Sequence, residues 1–256
     1  MSWAWDDLDY ASRLWATLAG IGLAAAAASA RLLLVPPLTG VNLVGARLVQ
    51  AQLQGLRLDG ARLDGADLRK ADLDGATLDG AILAHANLSW VDGGDVALAA
   101  ASLVAADLTE ASLPRARADG ADFEGVVANR AGLAGASLRA ARLVDALFES
   151  ADLSGADLRA AFLTGAQLPL ADLRGADLRQ AVCKRCDFRG ADFTGAQLDG
   201  ALLEGARFGA PVDDAGLPLA SRLSTRAPAP LPTQEQLELA RWNQIVIDGA
   251  IRSRRA

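Results

Sequence analysis

Leucine recurs every five residues through most of this chain. In "ARLDGADLRKADLDGATLDGA", residues 61–81, it stands at 63, 68, 73 and 78, with alanine two places before each. Five residues rotate a helical side chain by about 140°, so the leucines would spread around the cylinder and form no face. In a straight strand an odd spacing sends successive leucines to opposite sides of the sheet. The leucines can share one axis only if the backbone turns a corner within every unit. The spacing therefore predicts a coil of short extended segments joined by turns.

The phase holds over a long stretch. Of the thirty-five fifth positions from Leu38 to Phe208, all but Gly93, Ala118, Ala128 and Cys183 are Leu or Phe. The site two residues earlier is Ala except at Val41, Leu56, Val91, Val96, Val126 and Cys186. A short period kept over this length is the mark of a solenoid. Glycine is frequent two residues after the leucine, as at Gly45, Gly60, Gly65, Gly75, Gly120, Gly155 and Gly195, where a turn of positive φ favours it. Pro114 and Pro169 both come directly after the central site, a turn position open to proline.

Segments such as "ADLSGADLRA" and "ADLRGADLRQ" resemble the A(D/N)LxG units of pentapeptide repeat proteins, over about two thirds of the chain. The resemblance implies an all-β solenoid: a right-handed quadrilateral β-helix, four pentapeptides to a coil of about twenty residues, with about nine coils spanning residues 38–210. At one strand spacing per coil the rod is roughly 40 Å long. On that plan the central Leu or Phe and the preceding Ala fill a narrow interior.

The flanks differ in character. Residues 1–37 are rich in Ala and Leu and predict a helix from about Asp7 to Ala30, with Leu14, Trp15, Leu18, Ile21 and Ala25 on one face. Three readings stay open: an end cap for the first coil, a membrane anchor from Leu14 to Val35, or a secretory signal cut after "ASA", which Asp6, Asp7 and Asp9 disfavour. Residues 211–232 are Pro-rich and read as an extended linker. Residues 233–256 predict a C-terminal amphipathic helix, opened by a Thr233/Gln236 capping box. Its stripe of Leu239, Trp242, Ile245, Val246 and Ala250 either folds back on the rod or forms a homodimer or partner contact.

The chemistry points away from catalysis. The chain has one His, no strand-turn-helix Ser nucleophile and no P-loop, and its glycines keep to the repeat, so no enzyme and no cofactor is expected. "CKRC" invites a zinc reading, but the only other soft ligand, His85, lies almost five coils away. No metal site is expected there. Cys183 and Cys186 both fall on inward positions, as two small core residues or as a strained disulfide. A calcium-binding β-roll repeats every nine residues, not five.

Partner binding is then a matter for the outer faces. The net charge is −6, and the whole excess lies in the repeats. This excludes a basic nucleic-acid binder and direct nucleic-acid contact. Residues twenty apart stack on one face, and one face holds Asp72, Asp74, Asp92, Asp95, Asp152, Asp172 and Asp192 against Arg115 and Arg174. The alternative is that these Asp are turn formers and solvated charge. Ser112 and Gly132 interrupt the column. Beside it, at "SWVDGGDVALAA", Gly93 removes an inward side chain and Trp90 takes an outward site. That Trp either anchors a partner or covers the hole, and covering is the favoured expectation. A similar small site at Ala128 is flanked by Phe148, so large and small residues are expected to compensate across coils.

The resemblance extends to function. Pentapeptide repeat proteins include rods whose acidic faces resemble B-DNA and which bind DNA gyrase or topoisomerase IV, protecting bacteria from topoisomerase poisons. It implies a cytoplasmic protein partnered by a type II topoisomerase. The alternative is a scaffold attached to the inner membrane through Leu14 to Val35, presenting the rod to protein partners. A net charge of −6 is modest for a DNA mimic, and the long linker is a departure from that group.

Overall fold

The computed structural model describes residues 38–209, 231–233, 236–237, 244–247 and 250–253. Within it each five-residue unit closes with a turn. The amide after the turn donates to the carbonyl of the leucine three residues before it, as in Ala61 N to Leu58 O at 2.9 Å and Ala116 N to Leu113 O at 3.2 Å. The third residue of each turn has positive φ, +64° at Gly60 and +58° at Trp90. This is the type II geometry, and Pro114 and Pro169 stand at its second position. Among the described residues, seventeen that are not glycine occupy the left-handed slot. Each gives up about 1 kcal/mol relative to glycine, so glycine there is favoured and not required.

The residue before each leucine bridges in parallel to the residue twenty positions on, unbroken from Asn42 to Arg207. Four units therefore complete one circuit. The bridges rest on alternating bonds: Leu63 N donates to Ile82 O at 2.7 Å, and Ile82 N donates to Ala61 O at 2.9 Å. Both inward positions are buried along the axis and merge into one apolar core. Alanine predominates at the earlier inward site because two large residues on every side would overfill the interior, although Leu56 and several valines are accommodated there. Ala118, Ala128, Phe123 and Phe148 are all buried within that core.

Cys183 and Cys186 are buried free thiols, so the core reading holds over the disulfide. Cys186 Sγ donates to Leu163 O at 2.9 Å, and burial pushes its thiol pKa well up. Among the described residues no group of His, Cys, Asp and Glu could hold a metal ion.

The C-terminal end differs from the sequence expectation. Phe188, Phe193 and Phe208 pack against one another there, with centroids 5.2 to 5.7 Å apart. The capping box forms: Thr233 N donates to Gln236 Oε1 at 2.7 Å, and Gln236 N to Thr233 Oγ1 at 3.2 Å. Gln236 Nε2 also donates to Phe193 O and Ala196 O, and Leu237 packs on the core. The predicted helix over 233–256 does not continue. Gln244–Ile247 and Ala250–Ser253 are strands instead. Strand β1, Arg207–Phe208, pairs in parallel with β2, Gln244–Ile247, which pairs antiparallel with β3, Ala250–Ser253. Ile245 and Val246 thus lie on a strand at the rod end, not on a projecting helix face. Leu239 and Trp242, and the expected helix and anchor in residues 1–37, lie outside the described residues. Among those described, no helix is long and apolar enough to cross a membrane.

Candidate partner interface

The residue before each leucine faces outward at a bridge, and the sequence prefers Asp or Asn there for a local reason. A carboxylate or amide oxygen at this place accepts the amide hydrogen two residues later, capping the coming turn. Ser154 N donates to Asp152 Oδ1 at 2.9 Å, Thr194 N to Asp192 Oδ1 at 2.9 Å and Arg174 N to Asp172 Oδ1 at 3.1 Å. Asn42 and Asn87 do the same with no charge. The charge is therefore separable from the cap.

The bridges put Gln52, Asp72, Asp92, Ser112, Gly132, Asp152, Asp172 and Asp192 on one ladder. Of the seven acidic residues singled out from the sequence, Asp72, Asp92, Asp152, Asp172 and Asp192 share a column. It is split into an upper pair and a lower triplet by the Ser112 and Gly132 rungs. Two of the seven carboxylates on this face are neutralised. Arg174 Nη2 lies 2.6 Å from Asp172 Oδ2, and Arg115 Nη2 lies 2.6 Å from Asp95 Oδ2. Hydrogen bonding from Arg115 holds the Asp95 carboxyl below its ordinary pKa. Asp72 accepts a hydrogen bond from Gln54 Nε2 and caps its own turn through Asp74 N at 3.1 Å. Asp74 Oδ1 accepts from Gly94 N at 2.6 Å.

That last bond leaves Asp92 apart. Its own turn amide, Gly94 N, is taken by Asp74, and among the described residues the Asp92 carboxylate meets no hydrogen-bond donor and no cation. Two residues before it, Trp90 is 48 % exposed. The expectation that Trp90 covers the Gly93 hole is corrected here. A Cβ at Gly93 would stand 2.8 Å from Leu113 Cδ2, so Leu113, the equivalent residue one coil on, already fills the space. Trp90 instead lies along the corner. Its Nε1 donates to Glu110 Oε2 at 3.1 Å, and Lys70 Nζ sits 5.8 Å from the ring centroid.

Sequence reading missed two further features. Arg159 binds Asp157 at 2.7 Å and reaches Asp177 at 3.5 Å, Arg179 binds Asp177 at 2.6 Å, and Arg139 closes on Asp157, a charged network on another face. Phe162, Val182 and Leu202 succeed one another on a third ladder, with Phe162 46 % exposed. Both were legible as residues twenty apart.

Comparison with known families finds the pentapeptide repeats model matching in 8 copies, over residues 38–69, 61–92, 95–127, 129–168 and 170–209. Comparison with curated proteins finds no match. Similar solved structures include full-length QnrB1, a plasmid-mediated fluoroquinolone resistance protein, at 21 % identity over 72 % of this chain and 97 % of that one, TM-score 0.46. Another is HetL, involved in heterocyst differentiation regulation in the cyanobacterium Nostoc sp. strain PCC 7120, at 28 % identity over 72 % and 95 %, TM-score 0.23. A third is Rfr23 from the cyanobacterium Cyanothece 51142, at 29 % identity over 41 % and 63 %, TM-score 0.31.

Proposed function

This chain belongs to the pentapeptide repeat family, matched through residues 38–209, and from that premise we propose that it is a non-enzymatic binding rod, a right-handed quadrilateral β-helix of just under nine coils. Its acidic face docks a protein partner. The partner is a type II topoisomerase, DNA gyrase or topoisomerase IV, which accepts the carboxylate column in place of the DNA backbone, and the protein acts in the cytoplasm where that enzyme works. One observation supports the reading above the others: Asp72 and Asp92, then Asp152, Asp172 and Asp192, fall in a single ladder on one face. An interior filled with Leu, Phe and Ala leaves the chemistry to the surface.

The test uses the separability of charge and cap. Changing Asp72, Asp92, Asp152, Asp172 and Asp192 to Asn removes five charges while keeping the acceptor that Asn42 and Asn87 supply elsewhere. The wild-type protein is expected to inhibit gyrase supercoiling or relieve a gyrase poison, with an effect that weakens at higher salt. The five-Asn variant, equally folded by circular dichroism, is expected to lose it. Wild-type protein without effect on either topoisomerase, or a variant as active as wild type, would refute the proposal.

A further inference from the structure

We infer that Trp90 and Asp92 form one docking point for an arginine-bearing segment of a protein partner; this rests on the reading of the acidic face as the docking surface. Three features carry it. First, Trp90 occupies a left-handed turn slot, φ +58°, that glycine fills at many other corners. A bulky side chain there is tolerated at a cost, and since Leu113 fills the neighbouring hole, the ring is not needed to plug it. Second, the ring is held before any partner arrives. Lys70 one coil before and Glu110 one coil after contact it, and Glu110 is itself held by Arg130 at 2.7 Å. An aromatic that is already ordered loses little entropy on binding, which is what an anchor needs.

Third, of the seven carboxylates on the face, Asp92 is the one with no donor and no cation among the described residues, because Asp74 has captured its turn amide. It comes after the ring with only the inward residue Val91 between them. A half-exposed indole two residues from an uncommitted carboxylate suits a guanidinium, which is planar, competes with Lys70 for the ring by stacking on it, and pairs with a carboxylate. An ammonium, as Lys70 shows, can sit over the ring but offers no plane to stack on it. A simple patch of negative charge would show no such preference.

The experiment uses the full chain labelled with 5-fluorotryptophan and two blocked peptides, tetra-arginine and tetra-lysine. The Trp90 fluorine resonance is identified by its loss in Trp90→Gly, a change that places glycine at a corner of the kind Gly75 and Gly80 occupy. Tetra-arginine is expected to shift that resonance and to bind more tightly than tetra-lysine. Trp90→Gly and Asp92→Asn are each expected to weaken the tetra-arginine Kd by roughly two- to fivefold. Asp122→Asn, on another ladder, is expected to leave it unchanged. Tetra-arginine bound equally well by Trp90→Gly, or tetra-lysine bound as tightly with the same shift, would overturn the inference. No topoisomerase enters the assay, so a failed gyrase experiment beside a positive titration refutes only the choice of partner. An active gyrase complex untouched by Trp90→Gly refutes only the anchor.

Discussion

Gly93 and Leu113 share one space, and the contact can be tested directly. A methyl group at 93 would meet Leu113 Cδ2 at 2.8 Å, so Gly93→Ala is expected to cost about 1–3 kcal/mol through overpacking. In a Leu113→Ala background, itself destabilised by about 2–5 kcal/mol, the Gly93→Ala change should cost little, because the space it fills is already vacant. Urea midpoints of the two single variants and the double variant report this, and a Gly93→Ala protein as stable as its parent would show that Leu113 does not own the site. The sequence revealed the missing side chain but not its replacement. A turn residue such as Trp90 points outward by register, and the neighbour able to reach in is twenty residues away, a distance no local reading spans. The Asp preference was more legible. Its role as a turn former can be read from Asp and Asn alternating at one place, and the bonds at Asp152, Asp192, Asn42 and Asn87 confirm it.

Gln236 donates to main-chain carbonyls of the last coil among the described residues, one of which, Ala196 O, would otherwise take an amide of a next coil. Its side-chain amide donates to Phe193 O and Ala196 O while its oxygen completes the capping box with Thr233. Gln236→Ala removes those bonds and is expected to cost about 1–2 kcal/mol, felt locally. Amide hydrogen exchange should quicken over residues 193–206 and stay unchanged over 60–130. Uniform acceleration, or none, would show that the cap is not the fastening. The sequence located this cap but misjudged the chain beyond it. The apolar residues from Leu239 to Ala250 do fit a helical period, yet "QIVIDGAIRS" contains a β-branched run, then Asp-Gly, then a second short run. Two residues of that type between strand-forming segments are a hairpin signal, and pairing with Arg207–Phe208 supplies the support an isolated helix lacks. The five-residue period, by contrast, left little ambiguity in the repeats, because one residue of phase error would expose every leucine.

Across the whole molecule, acid is the expected weakness. Arginine hydrogen bonds hold Asp157 well below the ordinary carboxyl pKa, and Asp67, Asp95 and Asp177 below it as well. A carboxylate whose folded pKa is depressed contributes stability above its unfolded pKa and loses it as pH falls through the folded value. Urea stability should therefore be flat from neutral pH to about pH 5 and decline below about pH 4. Asp157→Asn with Asp177→Asn should make that decline shallower, whereas unchanged stability down to pH 3 would remove these pairs from the account. The repeat count itself has a consequence for how such a chain can be shortened or lengthened. Excising twenty residues takes out one storey and returns every later side chain to its own wall. Excising five keeps each leucine indoors, so the protein still folds, but carries everything downstream a quarter of the way round. Asp152, Asp172 and Asp192 then look out in a different direction from Asp72 and Asp92, an error the interior never registers and any visitor meets at once.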